Sequence, residues 1–154
     1  MNKEKKDRII LATYAGVLAA LLADLTLYLI NLIIPGQNIN MTILAVEIFL
    51  NIDNYTLIHA ILGIIWSAVV GGTYALIYLI ALDLTGWNNL WLKAIVTINA
   101  LWLLGAGFVI KLLQLAQNVR DEPLSISAFY LAHLFFATFL YLFVKYFAGK
   151  REPT

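Results

Sequence analysis

From Ile9 to Ile34 the chain reads IILATYAGVLAALLADLTLYLINLII, 26 residues with a single formal charge, Asp24. A helix of that length, at ~1.5 Å rise per residue, is ~39 Å long, and the hydrocarbon core of a bilayer needs only ~30 Å. The run is predicted to cross a membrane. Asp24 then lies ~22 Å from its start, slightly past the midplane. A carboxylate at that depth costs at least ~2.5–3.5 kcal/mol on insertion scales. The rest of the chain is therefore expected to give Asp24 either a proton or a polar partner.

Three further apolar runs follow, at about 56–82, 90–115 and 126–147, and polar segments separate them. The chain is 62% hydrophobic and 12% charged, where a soluble domain has about 45–50% and about 25%. Its 154 residues leave room for one integral membrane domain and little else. Short connections favour antiparallel neighbours, so the expected fold is all-α, four transmembrane helices in an up-down-up-down bundle. Between the first two spans, Ile39, Ile43, Val46 and Leu50 recur at helical spacing among Asn40, Glu47 and Asn51. That pattern predicts a short amphipathic helix, read either as interfacial or as an ordinary loop helix. Pro35-Gly36 ends the first span, and Pro123 lies just ahead of the last.

The absence of cysteine excludes disulfides, thiol redox chemistry and cysteine-ligated metal or iron–sulfur sites. A net charge of +1 argues against a nucleic-acid partner. No Ser/His/Asp order, HExxH or phosphate loop is present, so no enzymatic activity, cofactor or metal site is expected. The first run is longer than a signal-peptide apolar region of ~7–15 residues, and no small-residue cleavage site ends it, so it is expected to be retained.

Orientation follows from the basic residues. Lys3, Lys5, Lys6, Arg8, Lys93, Lys145, Lys150 and Arg151 fall on one side, and only Arg120 lies in loops on the other, with Lys111 inside the third span. Eight against one predicts both termini in the cytoplasm, with the 37–55 and 117–125 connections outside. Tyr55, Trp87, Trp91 and Tyr146 near span ends suit interfacial belts.

Small residues mark where the helices should pack, because membrane helices associate by close backbone approach. The second span carries Gly63, Ser67, Gly71 and Ala75 at intervals of four. The first carries Thr13, Gly16, Ala20 and Asp24, and the third Ala100, Gly107 and, one turn on, Lys111. In the fourth, Tyr130, His133, Ala137 and Tyr141 share a face. The same spacing on the second span also suits a homodimer face.

The polar groups inside the spans form the candidate site. His59 is predicted ~5 Å below the outer end of the second span and His133 ~10 Å below that of the fourth. Asp24 and Lys111 lie in the same outer half, and Asn99 is nearer the middle of the third span. Taken singly, most have ordinary readings: Lys111 snorkels to the interface, His59 hydrogen-bonds there, Asn99 bonds across helices. Asp24 and His133 are different, since buried ionisable groups in spans mark sites by default. Asp24 is expected to face the interior and meet Lys111 or His133.

Three function classes fit. The first is a membrane protein with no chemistry of its own: a scaffold, a partner subunit or a lipid-interacting protein, alone or as a homo-oligomer. The second is a small proton- or cation-coupled transporter using Asp24, which would need to dimerise because no inverted repeat is visible. The third is a bis-histidine haem b protein built on His59 and His133.

The layout also resembles a known group. A basic N-terminus precedes a Gly/Ala-containing first span and a proline-started loop. The second span ends in GTYALIY, a tryptophan-bearing third span follows a short turn, and a histidine lies in the last span. This is similar to the small four-span bacterial inner-membrane proteins of the YagU and YqhR type. The resemblance covers most of the chain and implies a multi-pass protein of a bacterial plasma membrane. It carries over no site residues.

Overall fold

The computed structural model describes residues 3–33, 40–50, 54–114 and 122–148, with side chains from residue 8 to residue 147. Pro35-Gly36, Ile39, Asn51, Arg120, Lys150 and Arg151 lie outside the described residues, and the side chains of Lys3, Lys5 and Lys6 lie outside the described side chains. The described residues form five helices: α1 (Lys3–Ile33), α2 (Met41–Glu47), α3 (Leu57–Thr85), α4 (Leu90–Leu112) and α5 (Pro123–Ala148). All but α2 are long and apolar enough to cross a membrane. Among the described residues there is no strand.

Local chemistry explains the boundaries. At the start of α2, the Asn40 side chain accepts from the Thr42 backbone N–H at 2.9 Å, relieving one of the donors a first turn leaves unpaired. At the start of α3, the Thr56 N–H donates to Nδ1 of His59 at 3.1 Å, the reciprocal half of a capping box. Gly86 (φ 88°) and Asn89 (φ 51°) turn the chain between α3 and α4 in the left-handed region. Lys93 reaches back over that turn and donates to the carbonyls of Thr85 and Gly86 at 2.9 and 2.8 Å, so a cation satisfies the carbonyl end of α3. Pro123 opens α5, where its missing N–H is no loss.

The four long helices pack around a ring: α1 against α3 and α5, and α4 between α3 and α5. This is the up-down-up-down bundle. Alanine makes it possible. Ala12, Ala15, Ala19, Ala20 and Ala23 are all buried on α1, so both neighbours approach its backbone. The tightest approach is the α1–α3 crossing. A Cβ on Gly16 would lie 2.2 Å from the Gly71 carbonyl oxygen, and one on Gly71 would lie 2.5 Å from the Gly16 oxygen. An Arg8–Asp83 ion pair closes the same helix pair near the termini.

A second apolar cluster fills the α2 end of the bundle, with Leu27, Leu44, Ala128, Phe129 and Ala132 at its centre. Here α2 docks on α3: a Cβ on Gly63 would sit 2.3 Å from the Thr42 carbonyl oxygen, and Phe49 meets Trp66 edge-on at 4.6 Å. Gly63 is seven residues into α3 from its cap, so α2 lies alongside that helix at a depth of roughly 10 Å. The glycine expected to seat a neighbouring span seats this short helix.

The third span departs from expectation. Helix α4 is α-helical to Trp102, π-helical over Leu103–Val109 and α-helical again at Ile110–Leu112. The small residues Ala100 and Gly107 are seven apart and share a face, and Gly107 lies nine residues beyond Ile98, about half a turn round the helix from the packed side. Gly107 faces open space, with nothing within 4 Å of an added Cβ. Gly105 takes the inward place: a Cβ there would lie 3.4 Å from the Tyr74 hydroxyl. Ala100 and Lys111 are exposed too; the packed face of α4 is the one bearing Ala94 and Ile98.

Candidate functional site

The Gly16–Gly71 crossing decides what Asp24 meets. Two turns along α1 from Gly16, and one turn back along α3 from Gly71, the antiparallel helices present Asp24 and Ser67 to each other. Ser67 Oγ donates to Asp24 Oδ2 at 2.7 Å. The other carboxylate oxygen, Oδ1, is buried without a hydrogen-bond partner among the described residues.

Asp24, Ser67, Tyr74 and His133 line one cavity of about 50 Å³, with Met41 of α2 and Phe136 of α5 among its walls. Asp24 also borders a second, wider cavity of about 280 Å³ at the α2 end, lined by Tyr28, Asn31, Asn40 and Thr42 among others. The carboxyl group thus borders both cavities.

His133 is held on the far wall. Its Nδ1 lies 3.0 Å from the Phe129 carbonyl oxygen, one turn earlier in α5. A carbonyl only accepts, so Nδ1 carries the hydrogen, and in neutral imidazole Nε2 is then an acceptor. The ring is wedged edge-on between Phe129 at 4.7 Å and Trp102 at 6.3 Å, which fixes its orientation. The indole Nε1 of Trp102 is itself buried without a partner among the described residues.

The residues singled out in the sequence therefore separate. Asp24 and His133 come together at one cavity. Lys111 does not join them: it is exposed in the last turn of α4, and no ion pair links it to Asp24. The reason is that α4 packs by the face of Ala94 and Ile98, and Lys111 lies off that face. His59 is not part of the site either. Its Nδ1 is engaged by Thr56 and its ring stacks on Tyr55 at 5.9 Å, so the two histidines share neither a cavity nor a ring contact. Asn99 is inside the bundle, but its Oδ1 has no hydrogen-bond partner among the described residues, in place of the expected interhelical bond. Among the described residues no three His, Cys, Asp or Glu side chains gather as metal ligands would.

Ser67 is the site residue that sequence reasoning assigned to packing alone. Its i, i+4 relation to Gly63 and Gly71 placed it on the right ridge; a carboxylate on the facing ridge was the signal that its hydroxyl had a polar task. In comparison with known proteins, the chain matches no family model, no curated protein and no solved structure.

Proposed function

We propose that the protein is a non-catalytic integral membrane protein of a bacterial plasma membrane, a scaffold or partner subunit with both termini in the cytoplasm. The carrying observation is the size of the interior site. A cavity of about 50 Å³ behind Asp24 has room for a few water molecules, at ~10–15 Å³ of such volume each, and ligand pockets for organic molecules run to ~300–1,000 Å³. The Ser67–Asp24 hydrogen bond ties α1 to α3 without demanding a counter-charge, as a structural contact should. The basic residues on the termini side support the orientation.

One observation favours a second reading, a small proton- or cation-coupled carrier: Asp24 borders both the small cavity and the larger one at the α2 end. Proteoliposomes loaded with a pH-sensitive dye separate the two. Gradients of sodium, potassium or ammonium chloride are imposed in turn, and the first reading expects no proton movement above that of protein-free vesicles. A cation-driven proton flux abolished by Asp24→Asn would replace it with the second.

A further inference from the structure

We propose that Asp24 and His133 together form a proton-binding site, in which a water molecule in the small cavity bridges Asp24 Oδ1 and His133 Nε2. This goes beyond the scaffold reading and does not depend on it. Two acceptors face the chamber. Oδ1 of Asp24 is buried and unpartnered, since Ser67 serves Oδ2. Nε2 is the His133 nitrogen left for the cavity that the ring lines, because Nδ1 is turned to Phe129. An acceptor–acceptor pair is completed by a guest with two donors. Water supplies two O–H bonds, and the chamber has room for a few such molecules.

The same geometry favours one added proton. On Nε2 or on Oδ1 it turns that atom into a donor to the water, and the water then donates one O–H to the remaining acceptor. Binding moves one proton from bulk water to the site, and release returns it, with no other bond made or broken. The route is the second cavity, which Asp24 also borders and whose Asn31, Asn40 and Thr42 offer polar groups toward the α2 end. The titratable groups facing the chamber are Asp24 from α1, Tyr74 from α3 and His133 from α5; α2 contributes Met41, and α4 no charged group.

The test uses the full chain in lipid nanodiscs with ¹⁵N-labelled histidine. The chain has two histidines, so the spectrum holds two rings, and His59 in its helix cap reports on the fold. Two results are expected in the parent protein: magnetisation transfer from water to Nε2 of His133, and a His133 shift that moves in step with uptake of one proton as the pH is lowered. In Asp24→Asn the uptake should fall by one proton per chain and the stepwise His133 shift should disappear, while the His59 signal stays in place. Unchanged uptake and an unchanged His133 titration in a variant with the His59 signal intact would overturn the proposal. If that variant fails to fold, the parent decides: a His133 Nε2 without water contact overturns the proposal.

Discussion

Gly71 and Gly72 are adjacent in one helix, and the structure gives a methyl group opposite consequences at each. On Gly71 a Cβ would meet the Gly16 carbonyl oxygen at 2.5 Å and the Ala20 Cβ at 2.6 Å. That is about 1 Å inside ordinary van der Waals separation of ~3.5 Å. The Gly16 oxygen belongs to helix backbone and cannot rotate away, so α1 and α3 must part by about that much. Overpacking of this kind typically costs about 1–3 kcal/mol. Parting the helices also stretches the Ser67–Asp24 hydrogen bond, now 2.7 Å, beyond useful length. On Gly72 the nearest atom to a Cβ is the Thr13 Cα at 3.9 Å, ordinary contact. There alanine gains helix propensity of about 0.5–1 kcal/mol over glycine. Thermal unfolding in detergent should therefore place Gly71→Ala below the parent and Gly72→Ala at or above it. At roughly 2–4 °C per kcal/mol for a chain of this size, the two should differ by at least about 3 °C. Equal melting temperatures would refute the Gly16–Gly71 crossing and, with it, the route by which Asp24 finds Ser67.

Four other outcomes follow from the same geometry. Gly63→Ala should destabilise the protein by driving α2 off α3, and Gly107→Ala should leave stability within about 1 kcal/mol of the parent; equal losses for both would contradict the open space at Gly107. Asp24→Asn and Asp24→Leu should each stay within about 1.5 kcal/mol of the parent by the same melting assay, the scale of one hydrogen bond, whereas a loss of about 3–5 kcal/mol in Asp24→Leu would reveal a buried cationic partner. Burial holds the Glu47 carboxyl above its ordinary range; a raised folded-state value means the ionised form disfavours the fold, so stability should fall as the pH rises through the carboxylate range, and Glu47→Gln should flatten that slope in melts taken across it. Reporter fusions at Asn38, Asn88, Asp121 and Thr154 should read out, in, out, in, and any other alternation rejects the orientation drawn from the basic residues.

The four spans and their bundle were legible in the sequence because both rest on local properties. Hydropathy over some twenty residues decides whether a helix can enter a bilayer, and short connections make neighbours antiparallel. Asp24 was legible for the same reason: one charge in an apolar run stands out without knowledge of its surroundings. What Asp24 touches was not. Lys111 and His133 were the partners that height allowed, and Ser67 was legible only as a packing residue. The Gly16–Gly71 crossing fixes which small residue faces the carboxylate. The face of α4 that packs is that of Ala94 and Ile98, so Gly107 and Lys111, on the small-residue ridge taken for the contact, end up outside. The partner of Gly63 was equally out of reach, because the spacing of a small residue records that a backbone comes close and carries no mark of which one. Only the packed bundle, where distant segments compete for the same groove, selects α2 for Gly63, Ser67 for Asp24 and a shared chamber for Asp24 and His133.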